Sequence, residues 1–249
     1  MQEVRNAHQS EQNANQQRLP GRYFPPVDEA MSTLRELYHT HRDRIGEFAR
    51  SFPKEGLNGP FLMDSPLYAD QRTKLLVVGQ ETGGWPSNYD DIDAQFKAYR
   101  DFNLGAKWMG PFFSITRKVE SVLGIDKCAC AWTNLNRFDQ NGKPPKGAVL
   151  NAMPALDFLL REEIQILRPD VCIFYTNRKY DHRLRDLYPG VQFSDLPGLP
   201  SSHFARLTHP DLPATAVRTP HPRFIRMKRW EEAFIAFIRR RSSTDRNGF

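Results

Sequence analysis

The chain lacks any apolar run of about 18 residues, the length a helix needs to cross a bilayer. Its first twenty residues, MQEVRNAHQSEQNANQQRLP, lack the apolar core of a secretory leader. Cysteine is scarce: Cys128, Cys130 and Cys172 are the three, with no CxxC pair and no even set for a disulfide framework. Reduced thiols in a cytoplasm-like, cytoplasmic setting are expected, and three cysteines fall one short of a four-thiolate iron–sulfur set. Metal-ligand spacing is missing elsewhere too. His39 and His41 stand two apart on a predicted helix and face different ways, and Asp90, Asp91 and Asp93 read as a charged helix start. No metal and no organic cofactor is expected. Neither an internal repeat nor a linker divides the chain.

What is present is an ordinary globular balance, with 39% hydrophobic and 26% charged residues over 249 positions. That length suits one sizeable domain with extensions. The reading is a single domain over 21–241, a disordered Gln/Asn-rich tail over 1–20 that cannot bury surface, and a frayed basic tail over 242–249. The formal charge of +6 raises the expectation of a polyanionic partner, because each phosphate neutralised releases counterions; simple solubility would explain it as well.

Hydrophobic periodicity marks a helix in VDEAMSTLRELYHTHRDRIGEFARSF, with Met31, Leu34, Leu37, Tyr38, Ile45 and Phe48 on one stripe. Leu75 to Val78, closed by Gly79, reads as a buried parallel strand. Ser87 or Asn88 can cap the next helix. Another helix follows Pro111, and a long one spans Val149 to Leu167 with Pro154 near its start. CACAWTNL, VCIFYT and ATAVRT are the further strands, near 129–134, 171–176 and 214–218. A last helix carries Trp230, Phe234, Phe237 and Ile238 inward. Strands alternating with helices predict an α/β fold, a three-layer α/β/α sandwich over a mostly parallel four-stranded sheet.

In such sheets chemistry gathers beyond the carboxyl ends of the strands. Those ends carry Gly79-Gln80-Glu81-Thr82-Gly83-Gly84-Trp85, Thr133-Asn134-Leu135-Asn136-Arg137, Thr176-Asn177-Arg178-Lys179 and Thr219-Pro220-His221-Pro222-Arg223-Phe224. A carboxylate, amides, a histidine and several cations would converge on one rim, a constellation suited to acid/base work and recognition.

The ordered set LLVVGQETGGW, AWTNLNRF, LRPDVCIFYTN and TPHPRF resembles the uracil-DNA-glycosylase superfamily over about residues 70–240. The resemblance implies a monomeric enzyme of DNA repair by base excision. Its partner would be DNA, with no membrane and no metal, and it would flip out a uracil-like or C5-substituted pyrimidine and hydrolyse its N-glycosidic bond. Glu81 stands where the family's first-motif acid orients water, although the family usually shows Asp or Asn there, or a neutral residue in some branches. Gln80 would line the base pocket. Gly83 falls where uracil-strict members carry a tyrosine against the thymine methyl, so glycine leaves room at C5. Asn134 matches the base-reading amide, with Asn136 as its rival. His221 matches the second-motif histidine, a donor to the departing base. Phe113 is preferred over Phe112 as the ring that stacks on the base, because Phe112 continues the Ile115/Val119 stripe. Arg223 and Phe224 are the expected DNA contacts, and Arg223, Phe224 or Ile225 would fill the hole left by the flipped nucleotide. Arg226, Lys228 and Arg229 would touch phosphates or form a solvated face. The alternative on the same fold is a nucleic-acid-binding or interaction protein without catalysis.

Overall fold

The structure, a computed structural model, describes residues 29–244. The polar tail over 1–20 and residues 245–249 of the basic end lie outside the described residues. Helix α1 (Ala30–Thr40) and helix α2 (Arg42–Arg50) take the place of the single helix read there. His41 breaks it, with φ −103° and ψ 11°, and neither start carries a side-chain cap. Met31, Leu34 and Tyr38 of α1 and Ile45 and Phe48 of α2 still face inward, so the apolar stripe survives the break.

The main sheet runs in the order β3 (Ala131–Asn134), β2 (Leu75–Gly79), β5 (Val171–Phe174), β8 (Thr215–Arg218), β7 (Ala205–Thr208) and β6 (Gln192–Ser194). Strands β2, β3, β5 and β8 are the four expected, and they pair in parallel. Every residue of these four is buried; β2 and β5 read as continuous apolar runs, whereas β3 ends on Thr133-Asn134 and β8 carries Thr215 and Arg218 at its ends. The sheet has six strands, not four. β6 and β7 extend it antiparallel beyond β8. β6 has three residues and is largely exposed, β7 alternates buried with less buried positions, and a Pro/Gly-rich turn joins them, so neither carries an unbroken apolar run. A small antiparallel pair, β1 (Leu57–Asn58) with β4 (Asp139–Gln140), lies apart from the sheet.

From β2 the chain moves out to β3, then returns to β5 on the other side of β2. This reversal is the arrangement that opens a crevice at the carboxyl ends of an α/β sheet. The register levels those ends: Gly79 pairs with Asn134, Val78 with Phe174, and Phe174 with Arg218.

Helix α3 (Ile92–Phe102) starts at Asp91, whose carboxylate accepts from the Ala94 N–H at 2.9 Å. Ser87, one of the two caps expected, instead donates to the Leu57 carbonyl at 2.9 Å. Helix α4 (Pro111–Leu123) has its proline at the first turn, where no N–H is missed, and ends on Gly124 at φ 69°. The helix read over Val149–Leu167 is α5 (Gly147–Ala152), a 3₁₀ turn Met153–Leu156 and α6 (Asp157–Leu167). Pro154 lies in that turn, since its ring and missing N–H bar a continuous α-helix. Helices α7 (Asp181–Leu187), α8 (Pro222–Met227) and α9 (Glu231–Thr244) complete the chain. α4 packs on α8 and α9, while α1 packs on α6 and α6 on α7. The buried apolar side chains form one contiguous cluster. No helix among the described residues is long and apolar enough to cross a membrane.

Candidate active site at the carboxyl ends of the parallel strands

Glu81 leaves β2 by two residues and is half-buried. Its Oε2 accepts from Asn136 Nδ2 at 3.1 Å. Burial pushes the Glu81 carboxyl above the usual carboxylate range; the Asn136 hydrogen bond and the Lys179 charge pull it down, and Asp139 adds a smaller push upward.

Asn136 is fully committed. Its Nδ2 also donates to the Tyr180 hydroxyl at 3.0 Å, and its Oδ1 accepts from Arg183 Nη1 at 2.6 Å. Arg183 is buried and bound by its Nε to Asp157 Oδ2 at 2.9 Å. Asn136 therefore holds Glu81, and its amide has no donor left for a ligand.

Asn134 differs. The Trp132 indole N–H donates to its Oδ1 at 3.1 Å, which fixes the orientation of the amide. Its Nδ2 is buried and has no hydrogen-bond partner. An orphaned buried donor costs about 1–3 kcal/mol, a cost that a ligand acceptor would remove. Gly79 is required beside it, because a Cβ there would stand 2.2 Å from Asn134 Oδ1. Gln80 is half-buried; its Nε2 donates to the Tyr175 carbonyl at 3.3 Å, and its own carbonyl accepts from the Asn136 N–H at 2.7 Å.

The loop after β2 is shaped by Asp139. Its Oδ2 accepts from Thr82 Oγ1 at 3.2 Å, the Gly84 N–H at 2.7 Å and the Trp85 N–H at 3.2 Å. Its Oδ1 accepts from Asn58 Nδ2 at 2.7 Å and the Gly142 N–H at 2.8 Å. Gly84 has φ 83° and needs to be glycine. Gly83 does not: the nearest atom to a Cβ there is the Gly142 carbonyl oxygen at 3.7 Å. The turn leaves this position open to a side chain that the sequence does not supply.

His221 caps α8. Its Nδ1 accepts from the Arg223 N–H at 3.1 Å, so a neutral ring carries its proton on Nε2. Burial holds the imidazole pKa below its ordinary value, and Arg223 and Lys179 reinforce the effect. The group is thus a neutral Nε2–H donor near pH 7.

Phe112, half-buried, lies nearest this histidine, with ring centroids 6.2 Å apart, and also meets Trp132 at 5.3 Å and Tyr175 at 5.5 Å. Phe113 points elsewhere, into Phe102 at 5.5 Å and onto the Gly105 backbone, where a Cβ would meet its ring at 2.8 Å. Of the two phenylalanines it is Phe112 that shares the histidine's surroundings.

Arg223 is exposed. Phe224 is half-buried between His203 at 5.2 Å and Trp230 at 5.8 Å, with Lys228 over its ring at 5.5 Å, and Ile225 is in the core. Arg226 is held by Glu231 and Ser114, while Lys228 and Arg229 are exposed. The apolar side chain that α8 offers to solvent is Met227, 63% exposed. Trp108 and Met109, 61% and 78% exposed, stand on the loop leading to Phe112. The pattern of the sequence did not single out these three, since exposure is not legible from residue type. Nor did it assign a role to Lys179, a cation whose charge acts on both Glu81 and His221.

Among the described residues no group of three or more His, Cys, Asp or Glu is placed to hold a metal ion. No family model matches the chain, and no curated protein matches it.

Proposed function

We propose that this chain is a DNA glycosylase on a three-layer α/β/α fold, which flips a base out of DNA and hydrolyses its N-glycosidic bond. The observation that carries the reading is the pair formed by a carboxylate, Glu81, and a neutral Nε2–H imidazole, His221. They stand at the ends of β2 and β8 and share the influence of Lys179. Cleavage of such a bond leaves positive charge on the sugar and negative charge on the base. A carboxylate answers the first and positions water; an N–H donor answers the second. The unpartnered Nδ2 of Asn134 supports a role in reading a base carbonyl, and Phe112 beside His221 supports stacking. The unfilled position at Gly83 favours a pyrimidine that carries a C5 substituent.

The test is single-turnover excision from labelled oligonucleotides that carry a panel of uracil-like and C5-substituted bases, with alkali to reveal abasic sites. On the base that the parent removes, Glu81→Gln and His221→Ala should each lower the rate by about 10²–10³, the cost of losing one group aimed at developing charge. DNA binding should change little. The two losses should not multiply, because both act on one transition state. A parent that excises none of these bases overturns the enzyme reading and favours a nucleic-acid-binding protein on the same fold. Full activity in both variants overturns the mechanism.

A further inference from the structure

Next to the strand ends that lead to Lys179 and His221 lies a polar groove of about 370 Å³, lined by Arg178, Arg185, Arg218, Ser194, Ser201 and Ser202. Its size is at the lower end of the ~300–1,000 Å³ range of ligand pockets, but its lining is not the mostly apolar one of such pockets. Arg218 closes β8 and is buried. Asp181 Oδ1 stands 3.0 Å from its Nε, Nη2 donates to Asp181 Oδ2 at 3.1 Å, and Nη1 donates to the His203 carbonyl at 2.6 Å. Each terminal nitrogen keeps a second hydrogen. Arg185 is exposed, with its guanidinium 4.5 Å over the Phe193 ring, which fixes the cation without using its hydrogens. Arg178, also exposed, follows Asn177, whose side chain accepts from the Arg178 N–H at 2.6 Å. Two carboxylates share the groove. Asp181 is bound to Arg218, and Asp195 alone opposes an anion. Burial lowers the Arg218 pKa, Asp181 opposes that, and Arg178 and Arg185 lower it further, so the three cations feel one another.

We propose that this groove binds a phosphate group, and that in the working protein the phosphate belongs to the nucleic-acid strand whose base enters the neighbouring site. Guanidinium forks match phosphate oxygens in pairs, and serine hydroxyls supply further donors. The groove and the site are continuous in sequence: Arg178 precedes Lys179, and Arg218 precedes His221 by three residues. The assignment to a nucleic-acid strand rests on the glycosylase reading, whereas the phosphate chemistry rests on the groove alone.

The experiment is titration of the full-length protein with inorganic phosphate and with two hexathymidylates, one of them 5′-phosphorylated, at several salt concentrations. The double variant Arg178→Ala/Arg185→Ala changes two exposed side chains and leaves the buried Arg218–Asp181 pair intact. It should bind phosphate and oligonucleotide roughly tenfold more weakly, as expected when hydrogen bonds to a charged group are lost. The salt dependence for oligonucleotide should be shallower by about one per lost contact. Asp195→Asn should bind both more tightly. A preference for the phosphorylated oligonucleotide identifies a terminal monoester, and equal binding identifies an internal diester; either is the phosphate proposed. Unchanged affinity for phosphate and oligonucleotide in the double variant overturns the proposal. If the parent excises no base and the double variant still loses phosphate, the groove stands and the glycosylase reading falls alone.

Discussion

Lys179 is the residue on which the two proposed catalytic groups depend together. Its ammonium lies 4.5 Å over the Tyr180 ring, and the Tyr180 hydroxyl accepts from the same Asn136 amide that holds Glu81. The Lys179 charge lowers the pKa of Glu81 against the larger upward push of burial, and it lowers that of His221 in the same sense as burial. In Lys179→Met both groups lose that cation, so both titrate at higher pH. An enzyme that needs Glu81 ionised and His221 neutral loses activity as pH falls, through either group. The acid limb of kcat/KM, which reports the free enzyme, should therefore move to higher pH in Lys179→Met. A limb at the parent's position would show that Lys179 does not act on the site. The residues of this site were legible in part. Glu81 and His221 are marked by the strands and turns that precede them. The choice between Asn134 and Asn136 was not readable, because it is made by Arg183 and Tyr180, 47 and 44 residues further along the chain. Helical spacing does not reveal that Phe112, rather than Phe113, lies beside His221. Both rings are half-buried, so continuation of a stripe does not separate a core ring from a site ring.

At the scale of elements, the loop after β2 depends on a residue in another element. Asp139 in β4 receives five hydrogen bonds, three of them from residues 82–85. Asp139→Ala would leave those donors without an acceptor. Water reaches the exposed Gly83 and Gly84 and offsets part of the loss. A destabilisation of about 2–4 kcal/mol is expected, within the range for broken buried networks. It should appear as a lower urea midpoint with an unchanged slope. A loss below about 0.5 kcal/mol, the range of ordinary surface changes, would show that the loop is not held by this carboxylate. The same elements show what composition reveals of fold. β2 and β5 are legible because burial on both faces favours unbroken apolar runs, while β3 and β8, also buried throughout, are legible from the shorter apolar stretches Ala131-Trp132 and Ala216-Val217. β6 and β7 are not: β6 is a three-residue edge strand, paired on one side and largely exposed, and β7 beside it alternates buried residues with less buried ones, so neither needs an unbroken apolar run. The breaks at His41 and Met153–Leu156 interrupt the helices without interrupting the apolar stripe, so periodicity passes over them.

The whole molecule ties its stability to its site through buried guanidiniums. Arg137, Arg183 and Arg218 are each paired with an acid inside, namely Glu163, Asp157 and Asp181. The surplus of +6 is therefore carried by the rest of the chain, where it can meet phosphates. The Arg183 pair is the informative one, since Arg183 also anchors the Asn136 oxygen and, through that amide, Glu81. Arg183→Met alone leaves the Asp157 carboxylate buried without its partner, and burial already pushes that carboxyl above its usual range. Breaking such a pair costs about 3–5 kcal/mol, whereas replacing both members by apolar side chains is often neutral or stabilising. Asp157→Leu/Arg183→Met should thus recover most of the stability lost in the single variant. It cannot restore the anchor of Asn136. The amide is then free to turn, Glu81 loses its fixed donor, and misplacement of a reacting group by about 1 Å costs on the order of 10²-fold in rate. The expected outcome is a double variant with a urea midpoint near the parent's, base excision lower by about that factor, and an acid limb moved to higher pH. The shift follows because the Asn136 hydrogen bond, which lowers the Glu81 pKa, is weakened. A merely structural pair would give parental excision and a parental pH profile once stability returned, and that result would refute the link from Arg183 to Glu81.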